Sequence, residues 1–306
     1  MARRRNRGRQ VDGVLLLDKP TGITSNAALQ RVKRLFNANK AGHTGSLDPL
    51  ASGMLPICLG EATKISGFLL SADKEYRASL RLGVTTDSAD ADGVVVQTRP
   101  VEAFADSRLR EVLESFLGPI SQIPPMHSAI KQNGQPLYKL AHQGIEVARE
   151  PREVTIHSLE LLRHEDDALD IAVRSSKGTY IRTLAADIGE MLGCGAHITL
   201  LRRTGVGALD GHKMHSLESL EALVEQSGVS ALDALLLSMD ATLPDWPEVC
   251  LSADASFYLC QGQPVFVPQL QARGSVRLYA PERRFLGLGT VLDDGRVAPK
   301  RLLKTA

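Results

Sequence analysis

Twelve residues, Gly42-His43-Thr44-Gly45-Ser46-Leu47-Asp48-Pro49-Leu50-Ala51-Ser52-Gly53, constrain this chain more than any other stretch. They set one histidine, several hydroxyl groups and a single carboxylate among three glycines, and they run straight into the apolar segment 54–59. Glycine adopts positive φ and lets another backbone or a ligand approach closely, so the stretch reads as a shaped loop feeding a buried strand. Within it Asp48 is the one acid, and Pro49 stiffens the chain just after it. An Asp-Pro pair also opens ordinary turns, with the carboxylate bonded to its own backbone. Composition and spacing leave both readings of Asp48 open.

The surrounding pattern is that of an α/β chain. Residues 11–17 read as a strand ending at Lys19-Pro20-Thr21-Gly22. Thr24 or Ser25 then caps a helix carrying Ala28, Leu29, Val32, Leu35 and Phe36 at helical spacing. A helix is expected near 62–70. Tyr76, Ala78, Leu80, Leu82 and Val84 alternate with more polar neighbours, the period of a half-buried strand. A helix with Leu109, Val112, Leu113 and Phe116 precedes an irregular stretch, 118–151, rich in proline and glycine. Strands are expected at 154–162, 169–174 and 198–203, with a helix burying Leu184, Ile188 and Leu192 before the last of them. Beyond Asp245-Trp246-Pro247, short apolar runs at 264–267, 276–279, 285–292 and 296–303 predict a small β-rich unit. At 306 residues, two domains are expected.

Several classes of function are set aside. No apolar run approaches the ~20 residues of a membrane span, and the basic N-terminus lacks the apolar core of a secretory signal, so a cytoplasmic protein is expected. Cys58, Cys194, Cys250 and Cys260 form no C-x-x-C pair, and the eight histidines show no ligand spacing. No metal is therefore expected. The segment 87–93 resembles a calcium loop in outline, but alignment puts Ser88 first and Arg99 last, where the bidentate acid belongs. Net charge is only +1, yet five arginines fall within the first nine residues, and Arg202-Arg203 and Arg283-Arg284 are further pairs that could serve phosphate. No G-x-S-x-G motif or Ser-His-Asp arrangement suggests a hydrolase.

The Asp48 stretch, extended as G-H-T-G-S-L-D-P-L-A-S-G-M-L-P, resembles the central motif of the TruB family of tRNA pseudouridine synthases. That resemblance implies a pseudouridine synthase fold, α/β with a mixed, largely antiparallel central sheet, plus a small β-rich PUA-like C-terminal domain. It implies domains at 1–245 and 246–306, with an RNA-clamping insertion at about 124–151. Asp48 is implied as the nucleophile. Arg182, in S-K-G-T-Y-I-R-T, is implied as its charge partner, and Tyr76, in K-E-Y, as an active-site tyrosine able to stack on uracil or act as a base. Tyr180 and Leu201 fall at the other pocket positions, and His43 resembles the histidine that helps displace the target base. The implied reaction converts uridine 55 of the tRNA T-loop to pseudouridine.

That reaction breaks C1′–N1 and rejoins the ring through C5, so no cofactor is expected. The expected partner is the T-arm stem-loop of tRNA, with no membrane, no obligatory protein partner and a monomeric enzyme. Two rivals remain: a guide-RNA-dependent synthase of the same superfamily, and a non-catalytic tRNA-binding or folding factor.

Overall fold

The computed structural model describes residues 8–132, 134–141, 143–209 and 211–304; the arginines at 3, 4, 5 and 7 lie outside them. An eight-stranded sheet organises the larger part of the chain. Its strands run in the order Gly13–Lys19, Ser52–Leu59, Ala196–Val206, Lys74–Leu82, Ala168–Ser175, Arg152–Glu165 and Gly118–Gln122, with Ala41–His43 paired beside Ser52–Leu59. Every pairing is antiparallel except that between Ser52–Leu59 and Ala196–Val206, so the sheet is mixed and largely antiparallel.

Strand character follows burial. Residues 53–59 are buried throughout, and a strand covered on both faces tolerates no polar alternation. Lys74–Leu82 keeps the alternation read from the sequence as far as Leu82, with Ala78, Leu80 and Leu82 buried and Arg77 and Arg81 exposed, and Gly83, at φ +81°, leaves Val84 to a separate strand, Val84–Thr86. The Ser25–Leu35 helix packs Ala28, Leu29 and Val32 inward, and the Thr24 hydroxyl accepts from the Ala27 N–H at 3.1 Å. The Ile181–Met191 helix turns Ile181, Leu184, Ala185 and Ile188 to the core and carries Arg182 inward with them. That core runs along one side of the sheet, from Leu15 and Leu17 through Ile57, Leu80 and Ile171 to Leu184.

Four expectations need correction. The stretch from 118 is not irregular at its start, because Gly118–Gln122 forms the edge strand against Arg152–Glu165. Pro119 faces no penalty there, since an edge strand has one unpaired side. The helix expected at 62–70 is split into a 3-10 turn, Gly60–Lys64, and a short helix, Ser66–Ser71, with Gly67 weakening the second. Residues 264–267 form no strand: Pro264 and Pro268 supply no N–H, and only Val265 bridges to Val297. Leu192 is only partly buried, because the helix ends at Met191.

The C-terminal sheet instead begins at Glu248–Cys250, which runs parallel to Ser275–Tyr279; Phe285–Val291 and Val297–Leu302 follow antiparallel. The Ala253–Cys260 helix, capped by Ser252, covers it. This sheet has its own apolar cluster around Val249, Leu259, Val276, Leu278 and Val297. It meets the larger body where Trp246 packs edge-on against Phe68 at 4.9 Å and Lys64 donates to the Leu302 carbonyl at 2.8 Å. Among the described residues no helix is long and apolar enough to cross a membrane.

Candidate active site

The loop carrying Asp48 is held from several directions. Ser25, buried on the first helix, accepts from the Leu47 N–H at 2.7 Å and donates to the Leu47 carbonyl at 3.0 Å. The Ala51 N–H closes a turn onto the Asp48 carbonyl, and the Gly22 N–H reaches the Pro49 carbonyl. Lys19 is fully buried, yet among the described residues it faces no carboxylate at contact distance. Its ammonium donates to the carbonyls of Pro20 and Ile23, both at 2.8 Å, and lies 3.5 Å from that of Pro49. Burial, opposed by the Asp48 charge, brings its pKa down to about 8. The Lys19-Pro20-Thr21-Gly22 segment thus braces the Asp48 loop.

Arg182 meets Asp48 from the helix that begins beside it. Its Nε donates to Asp48 Oδ2 at 2.9 Å, Nη1 to the Ser88 carbonyl at 2.9 Å, and Nη2 to the His127 carbonyl at 2.7 Å. Nη1 also stands 3.6 Å from Asp90 Oδ2. The guanidinium is buried and bridges two carboxylates of very different surroundings. Asp90 is enclosed and accepts from Ser88 Oγ and the Asp92 N–H, whereas the Asp48 side chain keeps 42% of its surface open to the cleft. Although that surface is accessible, the carboxylate is ringed by protein. Burial raises its pKa, Arg182 pulls it down, and the like charge of Asp90 pushes it up again, for a net rise. Arg182 therefore offsets only part of what enclosure costs the ionised form.

Of the other expected residues, Tyr180 interacts electrostatically with this pair, and Tyr76, Leu201 and His43 stand on strands of the same sheet. Tyr76 lies opposite Arg203 on the neighbouring strand, and Leu201 lies opposite Ala78, so Tyr76 and Leu201 are diagonal neighbours on one sheet face. Tyr76 is half-buried against the main core, Leu201 is buried, and the Tyr76 hydroxyl makes no hydrogen bond among the described residues. Tyr180 sits at the N-terminal cap of the Arg182 helix. Gln122 accepts from its N–H at 3.0 Å and donates to its carbonyl at 3.3 Å. Burial raises the Tyr180 hydroxyl pKa, Arg182 opposes that rise and Asp48 adds to it, which places all three within one electrostatic neighbourhood. His43 ends the short strand leading into the loop. Its pKa is lowered by burial and then by the Arg203 charge, and its Nδ1 is buried without a hydrogen-bond partner. A neutral ring suits stacking better than phosphate pairing.

Sequence reading missed Asp90, Gln122 and the buried place of Arg203. In sequence Asp90 belongs only to the calcium-like segment 87–93, and among the described residues no cluster of three His, Cys, Asp or Glu side chains could hold a metal ion. The first arginine pair is also not an open phosphate site, whereas Arg283 and Arg284 of the second stay exposed. Arg202 clasps Asp18 with two bonds of 2.9 and 2.8 Å, and Arg203, pointing the other way along the strand, is 1% exposed. Arg283 is bound to Glu248 at 2.8 Å.

The mixed sheet that carries this pair has the pseudouridine synthase fold. A Cbf5-Nop10-Gar1 complex contains a chain of the same fold, at 26% identity and a TM-score of 0.74, covering 95% of this chain and 84% of that one. Residues 33–181 match the TruB family pseudouridylate synthase N-terminal domain, 182–244 the tRNA pseudouridylate synthase B C-terminal domain, and 247–303 the C-terminal model of pseudouridine synthase II TruB. The tRNA pseudouridine synthase B of Nitrosococcus oceani is 56% identical over 98% of this chain and 97% of its own length. That of Serratia proteamaculans is 53% identical over 99% and 98%. The chain belongs to the TruB family, and it is an isomerase.

Proposed function

We propose that this enzyme acts on tRNA in the cytoplasm, converting uridine 55 of the T-loop to pseudouridine with Asp48 as nucleophile. The observation that carries the reading is the Asp48 carboxylate, open to the cleft and bound at 2.9 Å by the buried Arg182. A carboxylate so placed can attack a sugar carbon once the nucleotide has left its stack. Base extraction costs a few kcal/mol, which stacking surfaces on the enzyme must return. Tyr76 and Leu201, diagonal on one sheet face, are the walls suited to the uracil ring. Tyr76 also carries an uncommitted hydroxyl for the proton on C5. Tyr180 completes the pocket, and the neutral His43 ring takes a place in the RNA loop when the target base swings out.

The same reading assigns residues 1–245 to catalysis, the stretch at about 124–151 to gripping the RNA loop, and 246–306, a PUA-like unit, to the outer stem. Binding by phosphate contacts, shape and stacking makes the affinity salt-sensitive. The enzyme works as a monomer with neither cofactor nor guide RNA. Relatives above 50% identity are tRNA pseudouridine synthases by name, which favours this over the guide-dependent alternative. The test is purified protein incubated with unmodified tRNA and nothing else, followed by nucleoside analysis and mapping of the modified position. Conversion at uridine 55 by wild type and not by Asp48→Asn supports it. Conversion that requires an added guide RNA, or that survives Asp48→Asn, refutes it.

A further inference from the structure

Arg203 is the largest of the fully buried side chains, and no carboxylate pairs with it among the described residues. Enclosing an unpaired guanidinium is costly, so its hydrogen bonds should reveal what it secures. Its Nε donates to the Met54 carbonyl at 2.7 Å and its Nη2 to the Gly45 carbonyl at 3.1 Å. Those carbonyls stand on either side of Asp48, one before the loop turns and one after it enters the strand. The backbone of Arg203 closes the same arrangement. It lies opposite Gly53 on one side, where a Cβ would fall 2.2 Å from the Arg203 carbonyl oxygen, and opposite Tyr76 on the other. Gly53 is required there both by that approach and by its φ of +97°. One residue therefore touches the two ends of the Asp48 loop and the strand that aims Tyr76.

We propose that Arg203 is a positioning residue for pseudouridine formation, fixing the Asp48 loop and Tyr76 in one frame without touching RNA. This rests on Asp48 being the nucleophile. Lysine cannot replace it fully, because one ammonium lacks the planar fork that spans two carbonyls. The charge has a second, local effect: it adds to the lowering that burial imposes on the pKa of His43, Lys19 and Lys74.

The experiment compares wild type, Asp48→Asn, Arg203→Met and Arg203→Lys in single turnovers at saturating tRNA, with tRNA affinity, thermal unfolding and the His43 titration by NMR. Misplacement of a reacting group by about 1 Å costs on the order of 100-fold. Arg203→Met is expected to lose about that in rate, with affinity within about threefold, and Arg203→Lys to recover about tenfold. The His43 pKa should rise in the Met variant, from loss of the charge together with any loosening of its burial, and a wild-type value in the Lys variant shows that both charge and burial are kept. Amide exchange at Leu47 and Ala51 should quicken in the Met variant. A Met variant that turns over at the wild-type rate, or that loses rate only in proportion to its unfolded fraction, overturns the proposal. If Arg203→Met does not fold, the Lys variant decides: slower turnover by a fully folded protein supports the proposal, and a wild-type rate overturns it. Wild type that converts no uridine, or Asp48→Asn that converts it normally, refutes the functional reading instead.

Discussion

The Asp48 loop and the stretch that follows Gln122 meet at Arg182 but are fastened in opposite ways. Around Asp48, Leu47 and Ala51 are buried, and Lys19, Ser25 and Arg203 each hold the backbone. From 123 to 151 the chain forms a two-residue hairpin, Lys131–Gln132 with Gln135–Pro136, and a short helix, Leu137–Ala141, while Ile123, Tyr138 and Ile145 stay exposed. Among the described residues there, Pro124, Ser128 and Leu137 are buried, and the Arg182 bond to the His127 carbonyl ties the segment to the Asp48–Arg182 pair. On the proposed reading, geometry is over-determined where the bond changes and sparse where a surface adapts to a folded RNA loop. The comparison predicts that damage to the first region abolishes rate with little loss of binding, and that damage to the second costs both.

The largest effect is expected from Asp48→Asn. The amide keeps the size and accepts the Arg182 bond but is a poor nucleophile, so pseudouridine formation should vanish. Affinity for tRNA should stay within about tenfold, ~1.4 kcal/mol. Substantial turnover measured by nucleoside analysis would remove Asp48 from the chemistry and end the contrast between the regions.

Arg182→Leu strikes where they join. It removes the counter-charge of Asp48, leaves enclosed Asp90 without its guanidinium partner, and removes the donor to the His127 carbonyl. The rate should fall by about 100-fold or more, and unfolding in urea should show a loss of about 3–5 kcal/mol, the usual result of halving a buried ion pair. Near-normal turnover at neutral pH would show that the pairing does not serve catalysis.

Trimming the segment between Pro125 and Pro151 tests the other side. Affinity and saturated rate should both drop, by about tenfold each, because capture of the RNA loop helps complete the site around the displaced base. Loss of affinity alone would make the segment a remote handle.

The acid limb of the rate profile sharpens the electrostatics. A carboxyl group whose pKa is raised takes up its proton at higher pH than an ordinary aspartate, so Asp48 loses its charge earlier as pH falls. Saturated turnover should therefore decline above the ordinary aspartate range. Asp90→Asn removes the like charge that contributes to the rise and should move the limb to lower pH. A limb at the ordinary aspartate position in wild type would mean that Arg182 outweighs burial.

These expectations differ in how visible they were before the fold. The Asp48 loop, the Thr24 cap and the alternation of 74–82 are local patterns, and each survives folding. Asp90 and Arg203 matter through partners more than ninety residues away, so their own neighbours in sequence carry no trace of it. A buried arginine beside a half-buried one looks like a basic patch until the strand places them on opposite faces. The Gly118–Gln122 strand was hidden by Gly and Pro, residues that an edge strand accepts and a central one does not. The Ala253–Cys260 helix is too short and too evenly apolar to show a period.

The smallest effect is expected farthest from Asp48, and it extends the comparison to a third region. Deleting 246–306 would uncover Ile65 and Leu243, which pack with Trp246, Phe285 and Leu288, so a truncation confounds binding with folding. A point change is cleaner. Arg301 is exposed on the last strand, donates only to the adjacent Lys300 carbonyl, and forms no ion pair among the described residues. If the C-terminal unit meets the outer stem through phosphate contacts, Arg301→Ala should weaken binding modestly and reduce the slope of log affinity against log salt by about one. Saturated turnover should not change, because that contact acts equally before and during the reaction. Kinetics at two salt concentrations separate the cases. An unchanged salt slope removes Arg301 from the RNA surface. A fall in saturated turnover would show that the C-terminal unit helps to shape the site, and the contrast between a fixed centre and an adaptable periphery would no longer hold.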